Sequence, residues 1–316
     1  RLYRSHTVKA LRKAGREAVV FDNLSSGHRH ALLGAPLVEG DIRDAEAVRA
    51  AIREHKPEAV IHFAAKIEVG EGERDPVGFY DNNVSGALTL LRVMLEEGVN
   101  KFVFSSTCAI YGNPERLPLS EDLPKRPVSV YGRTKLMCEQ VLEDISRAHG
   151  LNFAALRYFN AAGADIDGEI GEEHDPESHL IPLILQVPMG KREKIFIFGE
   201  DYETRDGTCV RDYIHIKDLA QAHILALRSG VSGGFNLGNG DGYTVKEVID
   251  VCREVTGHPI PAESQPRRAG DCTSLVADST KAKTILGWDP QHADLKARVM
   301  RLGYSAEHYE LYLRYQ

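Results

Sequence analysis

The sequence predicts an α/β protein: a doubly wound parallel sheet followed by a smaller mixed α/β unit. Short apolar runs alternate with helix-length segments from residue 7 to about residue 157, the order that right-handed strand–helix–strand crossovers produce. The runs are apolar through most of their length, as strands covered on both faces are. Beyond about residue 160 this rhythm loosens, with Gly and acidic residues filling 163–176 and later elements separated by Gly and Pro clusters. The expected division is therefore 1–162 for the sheet and 163–316 for the smaller unit, some of whose segments return to the sheet.

Each element has its own signal. Residues from Thr7 to Ala14 favour a helix, which Gly15 closes at the position where a left-handed residue is wanted. Ala18-Val19-Val20-Phe21 is a buried strand ending at Asp22, and Pro36 to Glu39 is a second one, followed by Gly40-Asp41. Residues 43–54 suit a helix that stops before Pro57, and Ala59 to Phe63 form the next strand. Val84, Ala87, Leu88, Leu91 and Leu95 make one apolar helix stripe, ended by Gly98. A strand over Lys101–Ser106, a helix from about Tyr131 and a strand over Asn152–Arg157 complete the alternation. In the second half a helix over 217–228 and a strand at Phe235-Asn236-Leu237 stand out.

Composition narrows the function. The 316 residues carry 39 Lys+Arg against 46 Asp+Glu, a net charge of −7, which disfavours a nucleic-acid partner because backbone contacts need a basic surplus. With 42% hydrophobic residues the chain can bury a core. No apolar run reaches membrane-spanning length and no signal peptide opens the chain, so no membrane partner and a cytoplasmic location are expected. The cysteines, Cys108, Cys138, Cys209, Cys252 and Cys272, are scattered and never paired as CxxC, and the histidines lack an HExxH spacing. Neither a disulfide framework nor a metal is expected.

In an open parallel sheet, ligands bind at the carboxyl ends of the strands. A Tyr and a Lys four residues apart on a helix share a face, where the ammonium can lower the phenol's pKa. Two pairs have this spacing, Tyr131 with Lys135 and Tyr213 with Lys217. The first opens a helix whose apolar stripe is Cys138, Val141, Leu142 and Ile145, which leaves Tyr131 and Lys135 off the core-facing side. The second lies where a strand runs into a helix start, so its members need not meet. Ser105-Ser106-Thr107 ends a strand beside the first pair and offers a hydroxyl to a substrate oxygen, or alternatively a cap for the following turn. Asp22, ending another strand, is placed either to accept hydrogen bonds from a ribose diol, favouring NAD over NADP, or to cap a turn. Arg211 and Arg267-Arg268 are either a diphosphate clamp or ordinary surface arginines.

Taken together, these residues make the chain similar to the UDP-glucose 4-epimerase branch of the extended short-chain dehydrogenase/reductase family. The matching stretches include Val20 to Gly27, His62-Phe63-Ala64-Ala65, Tyr80 to Val84, Ser105 to Gly112 and Tyr131 to Lys135. They continue through Arg157 to Ala164, Gly207 to His215 and Arg267 to Asp271, in order over roughly residues 5–290. The resemblance implies a Rossmann-like fold, bound NAD, a UDP-hexose substrate and a homodimer. It implies that Tyr131 is the base or acid on the sugar 4-hydroxyl, Thr107 its hydroxyl partner, and Lys135 the group that tunes Tyr131 and holds the nicotinamide ribose. By the same resemblance, Asp22, Asn23, Asp41, Ile42, Phe63, Ala64, Ala65, Asn82 and Phe159 match NAD-contacting positions. Asn160, His179, Leu180, Phe196, Ile197, Phe198, Arg211, Arg268 and Asp271 match the UDP-sugar side. Tyr213 becomes part of a structural segment beside Arg211.

Three departures carry further expectations. The family opens with a strand and a glycine-rich turn; here Arg4 stands where the last of those glycines is expected, so the first strand and the turn are expected to be missing, as in a truncated or frame-shifted reading. The last stretch, with Tyr304, Tyr309, Tyr312 and Tyr315, leaves the pattern too. Leu275 occupies a position that bears on hexose size in this family and leaves N-acetylated sugars open. Two other readings compete with epimerisation. One is a related 4,6-dehydratase or decarboxylase, although Cys108 and Ala109 stand where a dehydratase needs an acid and a base. The other is a relic that binds UDP-sugar without NAD.

Overall fold

The structure is a computed structural model and describes residues 2–165, 167–171, 177–268, 271–292 and 294–295; the C-terminal tyrosines lie outside the described residues. The first half runs α1 (Leu2–Lys13), β1 (Val20–Asp22), β2 (Leu37–Glu39), α2 (Ala45–His55), β3 (Val60–His62), α3 (Val69–Arg74), α4 (Pro76–Tyr80), α5 (Gly86–Glu96), β4 (Lys101–Thr107), α6 (Val130–His149), β5 (Asn152–Tyr158) and β6 (Asn160–Ala162). It continues with α7 (Leu180–Leu185), β7 (Ile195–Phe198), β8 (Val210–Arg211), β9 (Tyr213–His215), α8 (Ile216–Ser229), β10 (Gly233–Leu237), β11 (Tyr243–Thr244), α9 (Val245–Thr256), β12 (Ala262–Gln265) and β13 (Ser274–Leu275).

Local chemistry explains where the helices start and stop. The Asp44 carboxylate accepts from the amides of Glu46 and Ala47 to cap α2, and Ser129 accepts from the Gly132 amide to cap α6. Helix α6 ends on Gly150 at φ 71°, a left-handed position that glycine adopts without strain. Thr244 and Glu247 form a reciprocal capping box at α9.

The main sheet has strand order β10-β5-β4-β3, every neighbour parallel. One face buries Val103, Leu156, Ile214, Leu219, Phe235 and Trp288 under α8; the other buries Phe102, Phe104, Phe153, Leu91 and Leu142 under α2, α5 and α6. Such two-sided covering is why β4 and β5 are apolar through most of their length. The sequence led us to expect one sheet; the structure has β1 and β2 as a separate parallel pair. The doubly wound order 3-2-1-4-5-6 maps onto β2-β1 and then β3-β4-β5, and among the described residues no strand stands at the middle position.

The second half has its own core of Ile181, Ile184, Ile195, Ile197, Val248 and Ile260, around the parallel pair β7–β12 and helices α7 and α9. Strand β10 and helix α8 return to the main sheet. No described helix is long and apolar enough to cross a membrane.

Candidate active site

Strand β4 delivers Ser105, Ser106 and Thr107 to the carboxyl edge of the sheet, all buried. Helix α6 starts on the same side and brings Tyr131 and Lys135 to it, so the two expected catalytic stretches meet. The Tyr131 phenol hydrogen-bonds the Thr107 side chain, and Lys135 Nζ donates to the Ser105 carbonyl at 2.7 Å. The ammonium lies 4.7 Å from the Phe104 ring centroid and 5.9 Å from that of Tyr131. Lys135 is 2% exposed, buried in the crevice although it is off the apolar stripe.

Burial pushes the Tyr131 phenol up, opposed by its hydrogen bond to Thr107, while Lys135 directs its own hydrogen bond at the Ser105 carbonyl. Burial also pulls Lys135 down to about 8, so desolvation dominates both members of the pair.

A cavity of about 1750 Å³ connects this cluster to the end of β1. Asp22, Asn23, Ile42, Phe63, Ala64, Ala65, Asn82 and Phe159 all line it, with Thr107, Tyr131, Lys135 and His179. Asp41 stands just outside the lining, held by Arg43 and by Asn23, whose amide donates to it at 3.1 Å; the Arg43 contact keeps its carboxyl well below the usual range. At the β1 end, Asp22 accepts from the Leu24 amide at 2.7 Å, and a Cβ on Gly27 would lie 3.3 Å from Asp22 Oδ1. These residues fit a nicotinamide dinucleotide, with an acceptor for a ribose diol at one end and a phenol, a hydroxyl and an ammonium at the other. Arg4 forms an ion pair with Asp22, and its Nη2 would be 2.7 Å from a Cβ on Gly27. The position expected to hold a glycine thus places a guanidinium on the Asp22 carboxylate.

Of the remaining expected residues, Phe198, Arg211, Arg268 and Asp271 gather in a second cluster. Arg268 stacks 4.8 Å from the Phe198 centroid and pairs with Asp271 at 3.0 Å, and Arg211 comes within 3.7 Å of the same carboxylate. Arg211 also donates to the carbonyls of Val210 and Cys272. Phe196 and Phe198 share one face of β7, whereas the Ile197 side chain is buried in the second core, against which Leu180 also packs. Asn160 donates to the Asp212 carbonyl at 3.2 Å, and His179 pairs with Glu177 at 2.9 Å. Leu275 packs in a small cluster with Phe159 and Tyr111. Tyr213 is buried in the second core as the first residue of β9, away from the cavity lining.

The sequence model of the NAD dependent epimerase/dehydratase family matches residues 5–238. The chain belongs to that family. Within it the chain groups with the UDP-glucose 4-epimerases: it is 54% identical to the UDP-glucose 4-epimerase of Halalkalibacterium halodurans over 299 residues, 93% of this chain and 90% of that one. The crystal structure of UDP-glucose 4-epimerase from Brucella ovis in complex with NAD superposes with a TM-score of 0.92 at 44% identity, covering 97% of this chain and 95% of that one. The enzyme from Bifidobacterium longum in complex with NAD+ and UDP gives 0.89 at 34% identity, with 97% and 96% covered. In this epimerase family member, sequence reasoning missed the ion pair behind the site. Glu139, one helical turn beyond Lys135, accepts from Ser106 Oγ at 2.5 Å and from Arg157 Nη2 at 2.6 Å, with Tyr111 and Asn236 continuing the chain of bonds. The signal was a Glu among the apolar stripe residues of α6.

Proposed function

We propose that this site interconverts UDP-glucose and UDP-galactose at C4 through a 4-keto intermediate, with Tyr131, Thr107 and Lys135 as its catalytic residues. The observation that carries the reading is the meeting of Thr107, Tyr131 and Lys135 in one cavity with Asp22, in a chain of the epimerase family. NAD, when bound, accepts the C4 hydride and returns it. Tyr131 Oη takes the 4-hydroxyl proton as the C4–O bond becomes a carbonyl, and gives it back when the ketone is reduced from its other face. Thr107 Oγ1 orients the same oxygen. Lys135, anchored to Ser105, places positive charge beside the phenol and offers further N–H groups to the nicotinamide ribose. The Arg211, Arg268 and Asp271 cluster holds the UDP moiety, so that the hexose alone turns over. The division at residue 162 then places the proposed NAD contacts before it and the Arg211, Arg268 and Asp271 cluster after it.

A dehydratase reading is disfavoured chemically. Cys108 is pushed up to about 12 by burial and Ala109 has no proton to move, so neither serves as the acid or base of an elimination at neutral pH. A homodimer is supported by the exposed apolar side chains Leu88 on α5 and Met137 on α6, and a cytoplasmic location by five free cysteines.

The test is purification followed by measurement of bound NAD and of UDP-galactose to UDP-glucose conversion, with Tyr131→Phe beside it. Loss of a proton shuttle costs about 10²–10⁴-fold in rate. Undiminished turnover in Tyr131→Phe refutes the assigned base, and UDP-sugar binding without NAD supports the relic.

A further inference from the structure

The first turn of α6 carries Tyr131, and its amides have to find partners outside the helical ladder, because a helix leaves its first N–H groups unbonded. The ladder starts at the Arg133 amide, which donates to the Ser129 carbonyl at 3.0 Å. The Gly132 amide donates to Ser129 Oγ at 3.1 Å. The Val130 amide, one residue before Tyr131, donates to a different element: Glu73 Oε1 on α3, at 2.9 Å. From another side the backbone of Gly132 lies against the turn Cys108–Tyr111, so close that a Cβ there would stand 2.7 Å from the Ala109 carbonyl oxygen. That turn follows Thr107 directly, and Thr107 Oγ1 accepts from the Ala109 amide at 3.2 Å. The turn that carries the phenol is thus held between the strand end that carries its hydroxyl partner and one carboxylate on α3.

We propose that Glu73 is a positioning residue for Tyr131: bonded to the Val130 amide, its carboxylate fixes the first turn of α6 and with it the place of the phenol beside Thr107, a role that rests on the reading of Tyr131 as the proton shuttle. Val130 stands at the first helical position, where an N–H has no partner within the helix, so a group from another element has to satisfy it. Helix α3 is anchored well enough to serve. At six residues it is too short to stand alone, but a Cβ on Gly72 would lie 3.2 Å from the Phe79 ring, and Glu71 pairs with Lys66 at 3.1 Å. Gly70, Glu71 and Arg74 of the same helix line the cavity. One short helix therefore both walls the cavity and holds the tyrosine, so a ligand that presses on α3 reaches Tyr131 through a single hydrogen bond. The leverage is large, because a misplacement of about 1 Å at a reacting group costs about 10²-fold in rate.

Three variants of the full chain test it. Glu73→Leu removes the acceptor and Glu73→Gln keeps an acceptor oxygen. Val130→Pro removes the donor at a helix position that proline tolerates, after a Ser129 whose φ of −106° and ψ of 156° suit the residue before a proline. Hydrogen exchange over residues 131–134 of the ligand-free chain reads the turn, and conversion of UDP-galactose per bound NAD reads the reaction. Glu73→Leu and Val130→Pro are each expected to speed exchange about fivefold, the value of one hydrogen bond, and to lower kcat about tenfold with KM unchanged. Glu73→Gln is expected to stay within about twofold of the parent, and the Glu73→Leu/Val130→Pro double variant to lose no more than either single one. In a Tyr131→Phe background Glu73→Leu should change the residual rate no further. Unchanged exchange in Glu73→Leu, equal losses in Glu73→Gln and Glu73→Leu, or additive losses in the double variant would overturn the proposal, and exchange decides alone if the chain holds no NAD. Full turnover in Tyr131→Phe would remove the shuttle reading and this role with it, whereas a slow Tyr131→Phe beside an unimpaired Glu73→Leu would remove the role alone.

Discussion

Lys135 has a side chain whose ionisation and burial pull in opposite directions. It is held by the Ser105 carbonyl at 2.7 Å and by the Phe104 face, yet burial lowers it from 10.5 to about 8, with Cys138 and Glu139 opposing. A buried lysine with a depressed folded-state value contributes its full stability above pH 10.5, and loses it as pH falls through about 8. At about 1.4 kcal/mol per pH unit the interval corresponds to about 3 kcal/mol. Lys135→Met removes this dependence. The variant is expected to gain up to about 3 kcal/mol relative to the parent on going from pH 10.5 to pH 7, read from urea midpoints of the ligand-free chain. An unchanged difference between parent and variant at the two pH values would show that the ammonium is not desolvated. The same burial pushes the Tyr131 phenol up.

Helix α6 is the element that fixes the site, and its anchor is the pair Glu139–Arg157. Both side chains are about 2% exposed, and the guanidinium meets the carboxylate at 2.6 and 3.0 Å while Ser106 donates to it. These bonds tie α6 to β4 and β5 one turn below Lys135. Removing one member of a buried pair strands the other charge, at a cost of about 3–5 kcal/mol, whereas replacing both with apolar groups costs far less. Glu139→Leu is therefore expected to lower stability by about 3–5 kcal/mol, with the Glu139→Leu/Arg157→Leu double variant recovering much of it in denaturant melts. Additive losses would mean that the two residues act separately. The elements themselves were legible because periodicity reports burial: β1 to β5, α6 and α8 lie where apolar runs and helix stripes predicted them. Thr107, Tyr131 and Lys135 were legible because strand end and helix start are local features that topology brings together. The Glu139–Arg157 pair joins residues on different elements, and the grip of Arg4 on Asp22 crosses from α1 to β1; no periodicity encodes either. The short strands β6 to β8 and β11 to β13 were missed because two to four residues are too few to show a period, whereas β9 lies where the segment from Tyr213 was read as a strand running into a helix start.

At the scale of the whole molecule, the β1–β2 pair is joined to the rest through helices rather than through a ladder. Its own buried cluster is small, Val8, Val20, Leu32 and Ala35, against the long cluster that holds β4 and β5 beneath α5 and α6. Regions with few buried apolar contacts open at lower free energy than the global transition. In the absence of ligand the amides of Val20–Asp22 and Leu37–Glu39 are expected to exchange through such a partial opening, while those of β4 and β5 wait for global unfolding. The proposed cofactor contacts fall on both sides of this division, Asp22 and Asn23 on one and Asn82, Tyr131 and Lys135 on the other. NAD at about 100 times its dissociation constant stabilises whatever state binds it by about 2.7 kcal/mol, and the β1–β2 opening breaks that site. The gain is therefore expected to appear in full at the β1 and β2 amides in native-state hydrogen exchange. UDP alone, whose proposed contacts Arg211, Arg268 and Asp271 lie in the other half, is expected to leave the β1–β2 opening unchanged. Equal protection of β1 and β2 by both ligands, or by neither, would sink the assignment of Asp22 to the cofactor. Protection by NAD alone would show that Arg4 yields its place on Asp22 when the dinucleotide arrives.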